Sequence, residues 1–158
     1  MPLLVFSQVA LEPSGLLRAA TLVSRSLPSP LDVDVAGFED NAHLGSGIGS
    51  EAAIISARLS VDVRFGELEG RFALQQRANH ETALSLAQAA EQRGQAHGMA
   101  QLAQRCPWVW ELDSEEPLES ALAWLFCAAL ASWGLGPILP SDHSTLFGVR
   151  GARLRAGV

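Results

Sequence analysis

Apolar and polar residues alternate without a break from Ile55 to Phe65: Ile, Ala, Leu, Val, Val and Phe take the odd positions, and Ser56, Arg58, Ser60, Asp62 and Arg64 fill the even ones. Successive side chains of a strand point to opposite sides, so a period of two predicts a strand with one buried and one wet face. "LDVDV", residues 31–35, repeats the pattern on a shorter scale, with Leu31, Val33 and Val35 on one side and Asp32 and Asp34 on the other. "LLVFSQVA", residues 3–10, is apolar on both sides, which suits a central strand. "PWVWEL", residues 107–112, is a further run of β-formers, and its Trp108 and Trp110 share a face.

Helical spacing separates these runs. Leu16, Leu17, Ala20 and Val23 recur near a helical period, behind Ser14 as a candidate N-cap and ahead of Pro28. Asn79 is placed to cap a long helical stretch carrying Ala83, Leu86, Ala87, Ala90, Leu102 and Ala103, with a break predicted at Gly94 and Gly98. Leu118 to Ser132 is apolar nearly all round; Asp113 or Ser114 can cap it, Pro117 suits its first turn, and Gly134 offers a left-handed stop. "TLFGV", residues 145–149, predicts a tail strand. The order β-α-β-β-α-β, followed by the apolar helix and the tail strand, predicts an α+β fold of the ferredoxin-like split βαβ sandwich type. Residues 1–158 are expected to form a single globular domain.

A helix apolar on all sides needs cover on two of them. Leu118, Leu122, Leu125 and Ala129 can face the sheet, which leaves Trp124, Cys127 and Ala131 on the other side. These three are the candidate interface residues of a homodimer, unless the C-terminal tail folds back over them.

Composition narrows the function classes. With 48% hydrophobic and 18% charged residues, the chain can bury a core unaided. The 11 basic residues are all arginine, so a Schiff-base lysine and the lysine of a phosphate-binding loop are both excluded. Lack of Lys beside abundant Ala, Leu, Arg and Gly is the composition of a GC-rich bacterial genome. A net charge of −6 disfavours nucleic acid, whose phosphates need a basic stripe. Arg150, Arg153 and Arg155 do cluster, in what reads as a solvated tail. Cys106 and Cys127 share no metal-ligand spacing, and "MPLLVFSQVA" lacks the basic and apolar regions of a secretion signal, so reduced thiols in a cytoplasm are expected. The apolar run from Ala121 to Trp133 falls short of the ~20 residues a membrane span needs.

"SDHST", residues 141–145, sets Ser141, Asp142 and His143 side by side. A catalytic triad is defined by convergence, and neighbours on an extended chain point apart. The segment reads as a turn in which Asp142 bonds local backbone amides, with His143 kept as a ligand candidate. Gly45, Gly47 and Gly49 fit neither the P-loop nor the dinucleotide fingerprint; they read as a connector, or else as a loop that closes over a ligand together with His43. His80 reads as a surface residue and His97 as a packed one beside the helix break. No catalytic set, metal site or cofactor is assigned.

Acidic residues collect in two places, at Asp32 and Asp34 and at Glu111, Asp113, Glu115 and Glu116. The expected function is accordingly a small, acidic, cytoplasmic protein-binding module of the inhibitor or immunity type, whose acidic surfaces meet a basic protein. The alternative is a small-molecule sensor or an enzyme with its site at the Gly-rich loop 44–50.

Overall fold

The computed structural model describes residues 2–40, 55–114, 117–118 and 120–158. In chain order its elements are β1 (Leu3–Ser7), α1 (Pro13–Ser24), β2 (Leu31–Asp40), β3 (Ile55–Phe65), β4 (Leu68–Ala78), α2 (Glu81–Gly94), α3 (Met99–Gln104), β5 (Trp108–Ser114), α4 (Ala121–Gly134), β6 (Ile138–Leu139) and α5 (Val149–Ala156). The strands form one sheet in the order β2-β3-β4-β5-β1-β6, and every neighbouring pair is antiparallel. The fold is α+β.

The strand order departs from the expected ferredoxin-like arrangement. A simple split βαβ sandwich places one strand between the two parallel strands that a helix connects. Here β1 and β2, joined by α1, also run parallel, but β3, β4 and β5 all lie between them. The difference comes from β4, a strand the hydrophobic pattern does not announce. Only Phe72 and Leu74 carry its alternation, because Gly70 and Gln76 occupy the flanking inward positions. A two-residue turn, with Gly66 at φ 61°, folds β4 back onto β3 and turns β2 to β5 into a meander. β5 and β6 are likewise parallel around β1, with α4 as their crossover.

β1 is buried on both faces, as its unbroken apolar run predicts. Leu3 and Val5 pack with α1, α4 and α5, whereas Leu4 and Phe6 pack with the alanine face of α2 and α3 (Ala83, Ala87, Ala90, Ala100, Ala103). The first layer extends over Leu59, Val61, Val63, Phe72 and Leu74 of β3 and β4. The second layer buries residues of β5, β1 and β6 but none of β2, β3 or β4. Half of one sheet face therefore lacks a helical cover among the described residues.

Gln76 explains why a polar residue sits inward on β4. It is 4% exposed; its Oε1 accepts from the Leu11 amide at 2.6 Å and from Trp110 Nε1 at 3.1 Å, and its Nε2 donates to Ser56 Oγ at 3.1 Å. One side chain thus ties the β1–α1 connection to β3, β4 and β5.

Helix punctuation follows the predicted chemistry at shifted positions. α4 is capped by Ser120, whose Oγ accepts from the Ala123 amide at 3.2 Å, rather than by Asp113 or Ser114, which belong to β5. The left-handed stop is Leu135 at φ 57°, not Gly134. Gly134 serves close approach instead, since a Cβ there would lie 2.8 Å from Ser7 Oγ. Gly136 does the same against the Phe6 carbonyl. Asn79 does not cap α2; its Nδ2 donates to the carbonyls of Ala103 (2.9 Å) and Cys106 (2.7 Å) and so fastens the far end of α3. The predicted break is present, with Gln95 at φ 53° ending α2 and Gly98 at φ 88° opening α3.

The tail is ordered and helical. Phe147 makes a single bridge to Ile138 in place of a tail strand, and the chain then enters α5. Arg153 donates to Ser26 O at 3.1 Å and to Ser26 Oγ at 3.2 Å, which docks α5 on the end of α1. The Phe147 ring meets Trp124 edge-on at 5.1 Å, and the Arg155 guanidinium lies 4.9 Å from the Phe147 ring and 5.4 Å from the Trp124 ring. Trp124, Cys127 and Ala131, expected at a subunit contact, are buried within the single chain. Trp124 takes its cover from the returning tail.

Candidate functional site

The uncovered half-face is a ladder of charges built by strand register. On β2 it carries Asp32, Asp34 and, past a bulge between Val35 and Gly37, Glu39. β3 adds Arg58, Ser60, Asp62 and Arg64, and β4 adds Glu69, Arg71, Ala73, Gln75 and Arg77. Glu111 and Asp113 extend it onto β5. The period of two puts all of them on one side, because the alternate positions are filled by the apolar core.

Cross-strand neighbours decide which charges are satisfied. Arg71 grips Asp62 with two bonds, Nε to Oδ1 at 2.8 Å and Nη2 to Oδ2 at 3.3 Å, and holds the Asp62 carboxyl below the usual carboxylate range. Arg77 pairs with Glu111 at 3.0 Å, both half-buried, and Arg64 leans towards Glu69 at 3.7 Å. Asp34 lies directly opposite Asp62, a like charge, and Asp32 lies opposite Arg64. Being on an edge strand, β2 has no further neighbour among the described residues to neutralise them. Among the described residues no hydrogen bond or ion pair engages the side chain of Asp32, Asp34 or Glu39.

The twisted face is hollowed into a depression of about 670 Å³ lined by Asp32, Asp34, Asp62, Arg64, Glu69 and Arg71. A smaller one of about 250 Å³, against Ser60, Ala73, Asp113 and Ser114, shares Arg71 with it. Both are open to solvent, and the larger is walled mainly by charges. Small-molecule sites are typically deeper and mostly apolar, so this geometry suits contact with another charged surface.

Of the residues singled out by sequence, Asp32, Asp34, Glu111 and Asp113 are brought onto this one face, although 76 residues and three strand boundaries separate the two pairs in the chain. Glu115, Glu116, His43, Gly45, Gly47 and Gly49 lie outside the described residues. His143 is elsewhere, in the turn after β6 at the opposite edge of the sheet from β2. It adopts φ 55°; its amide donates to Pro140 O at 3.0 Å, and its carbonyl accepts from Arg93 Nη1 at 3.0 Å. In the same turn Asp142 Oδ1 accepts from the Ser144 amide at 3.0 Å, and hydrogen bonds from the Ser144 hydroxyl and amide lower the Asp142 carboxyl. "SDHST" is the turn that carries the chain from β6 to the segment covering α4. His97 is exposed rather than packed, and His80 is half-buried with Nδ1 3.2 Å from the Ala78 carbonyl.

Sequence reading missed the β4 charges, Glu69, Arg71 and Arg77, because it missed the strand. The available signal was Gly66 directly after a long strand, followed by the inward pair Phe72 and Leu74.

Burial pushes the Cys106 thiol up to about 11 and raises Cys127 further. Thiolate is the reacting form, so neither cysteine of the folded protein is expected to react with an aromatic disulfide reagent at pH 8, and both should react in denaturant. Modification of either within seconds under native conditions would contradict this burial.

Comparison with known proteins gives no match to a protein-family model, to a curated protein or to a solved structure. Among the described residues no helix is long and apolar enough to cross a membrane.

Proposed function

We propose that this chain is a protein-binding module, with the uncovered face of β2, β3, β4 and β5 as its contact surface and a basic protein as its partner. The observation that supports this reading is the gathering of Asp32, Asp34, Glu111 and Asp113 on one sheet face, whose β2–β4 half has no helical cover among the described residues. The interleaved arginines make the surface a pattern rather than a uniform negative field. Such patterns fix register and exclude wrong partners, while the excess of carboxylates along β2 steers approach. An inhibitor of the immunity type, working in a cytoplasm with reduced thiols, is the form this reading takes.

The test compares wild-type protein with an Asp32→Asn/Asp34→Asn/Asp113→Asn variant in affinity capture from source cells, followed by reconstitution with the purified partner. A basic protein should be retained by the wild type, with an association rate that falls roughly 10-fold or more as salt is raised. The variant should lose most of that rate. Equal capture by both proteins, or an acidic partner, would reject the proposal.

A further inference from the structure

Resting on that reading, we infer that the partner enters as an extended basic segment that adds a strand to the edge of β2, pairing with the backbone of Val33 and Val35. β2 is the outermost strand of the sheet, and among the described residues it is paired on one side only, with β3. An edge strand presents a row of backbone donors and acceptors ready for another chain. On β2 this row is short and located. Ser24 Oγ accepts from the Leu31 amide at 2.9 Å and donates to the Leu31 carbonyl at 3.4 Å, so the first residue is already satisfied by α1. Backbone groups point to the same side at every second residue of a strand, which assigns Val33 and Val35 to the edge. The bulge between Val35 and Gly37 ends the regular register just beyond them.

Side chains define what the added strand must carry. Asp32 and Asp34 stand exposed on the open face with no partner among the described residues, and Val33 and Val35 stand half-buried on the other side. A strand laid along this edge places alternate residues beside the carboxylates and beside the valines. It therefore needs Arg or Lys at one set of positions and aliphatic residues at the other. A second copy of this chain does not meet the requirement, because an antiparallel β2–β2 pair sets the Asp32 and Asp34 rows of both copies on one face, like charge against like.

The experiment uses the whole chain with two synthetic peptides of equal composition, RVRVRVRVR and RRRRRVVVV, titrated at low salt and followed by NMR and hydrogen exchange. The alternating peptide should bind at least about tenfold more tightly than the block peptide and slow exchange of the Val33 and Val35 amides about tenfold or more. The Asp32→Asn/Asp34→Asn variant, altered only at exposed positions, should bind the alternating peptide about tenfold more weakly. Equal binding of the two peptides, or binding without slowed exchange at Val33 and Val35, overturns strand addition and leaves the acidic-face reading standing. If neither peptide binds at low salt, both the strand addition and the acidic-face reading fall.

Discussion

Truncating Trp124 to alanine is expected to destabilise the fold by about 3 to 5 kcal/mol, the usual cost of removing a buried tryptophan. Trp124 is 1% exposed although it faces away from the sheet, since Phe147 and Arg155 close over it. The loss combines hydrophobic transfer with the cavity left under the tail. Urea denaturation followed by circular dichroism measures it; for a domain of this size the melting temperature should fall by roughly 6 to 20 °C. Because the cover is intramolecular, the loss should be the same at low and high protein concentration. A cost under about 1 kcal/mol, or one that appears only at high concentration, would mean that the tail is not what shields this side of α4.

Replacing Gln76 by leucine should cost about as much for a different reason. Leucine fills the space, yet it leaves two buried donors, the Leu11 amide and Trp110 Nε1, without the acceptor they share. Each unsatisfied buried donor costs about 1 to 3 kcal/mol, so the expected loss is about 2 to 6 kcal/mol. Trp110→Phe removes one of those donors, and the double variant should therefore lose less than the two single losses added together. Gln76→Leu within about 0.5 kcal/mol of wild type, or strictly additive losses, would show that the hub is incidental. Trp110 also packs on Trp133 at 4.9 Å, so near-ultraviolet circular dichroism would register its release.

The two residues mark the limits of periodicity as a guide. At Trp124 the pattern shows that the helix needs cover on a second side, and it leaves open whether a neighbouring subunit or the tail provides it. At Gln76 a polar residue interrupts an inward row, so a real strand loses the signal by which strands are found. β4 is hidden for that reason, and with it go the sheet order and one of the four strands that compose the charged face. The acidic clusters themselves are plain in the sequence. Their meeting on one face is not, because it depends on β3 and β4 standing between β2 and β5.

Local chemistry also placed features to within a few residues while missing the final choice. Asp113, Ser114 and Ser120 are all competent caps, and competition with β5, which takes the first two, leaves the third. Gly134 and Leu135 exchange expected roles because contact with Ser7 demands a missing side chain at 134, while the left-handed conformation falls one residue later.

The sequence by itself determined a strand within residues 3–10, the strands at 31–35 and 55–65, the apolar character of α4, the break between α2 and α3, and the turn at Asp142. Each rests on interactions within a few residues: side-chain period, backbone conformation, and caps that bond nearby amides. The tertiary structure decided which strands are neighbours, that the last helix closes over Trp124, and that half of one sheet face has no helical cover among the described residues. Those outcomes depend on which apolar surfaces bury one another at long range, and many pairings satisfy the same local pattern. Only the packed chain selects among them.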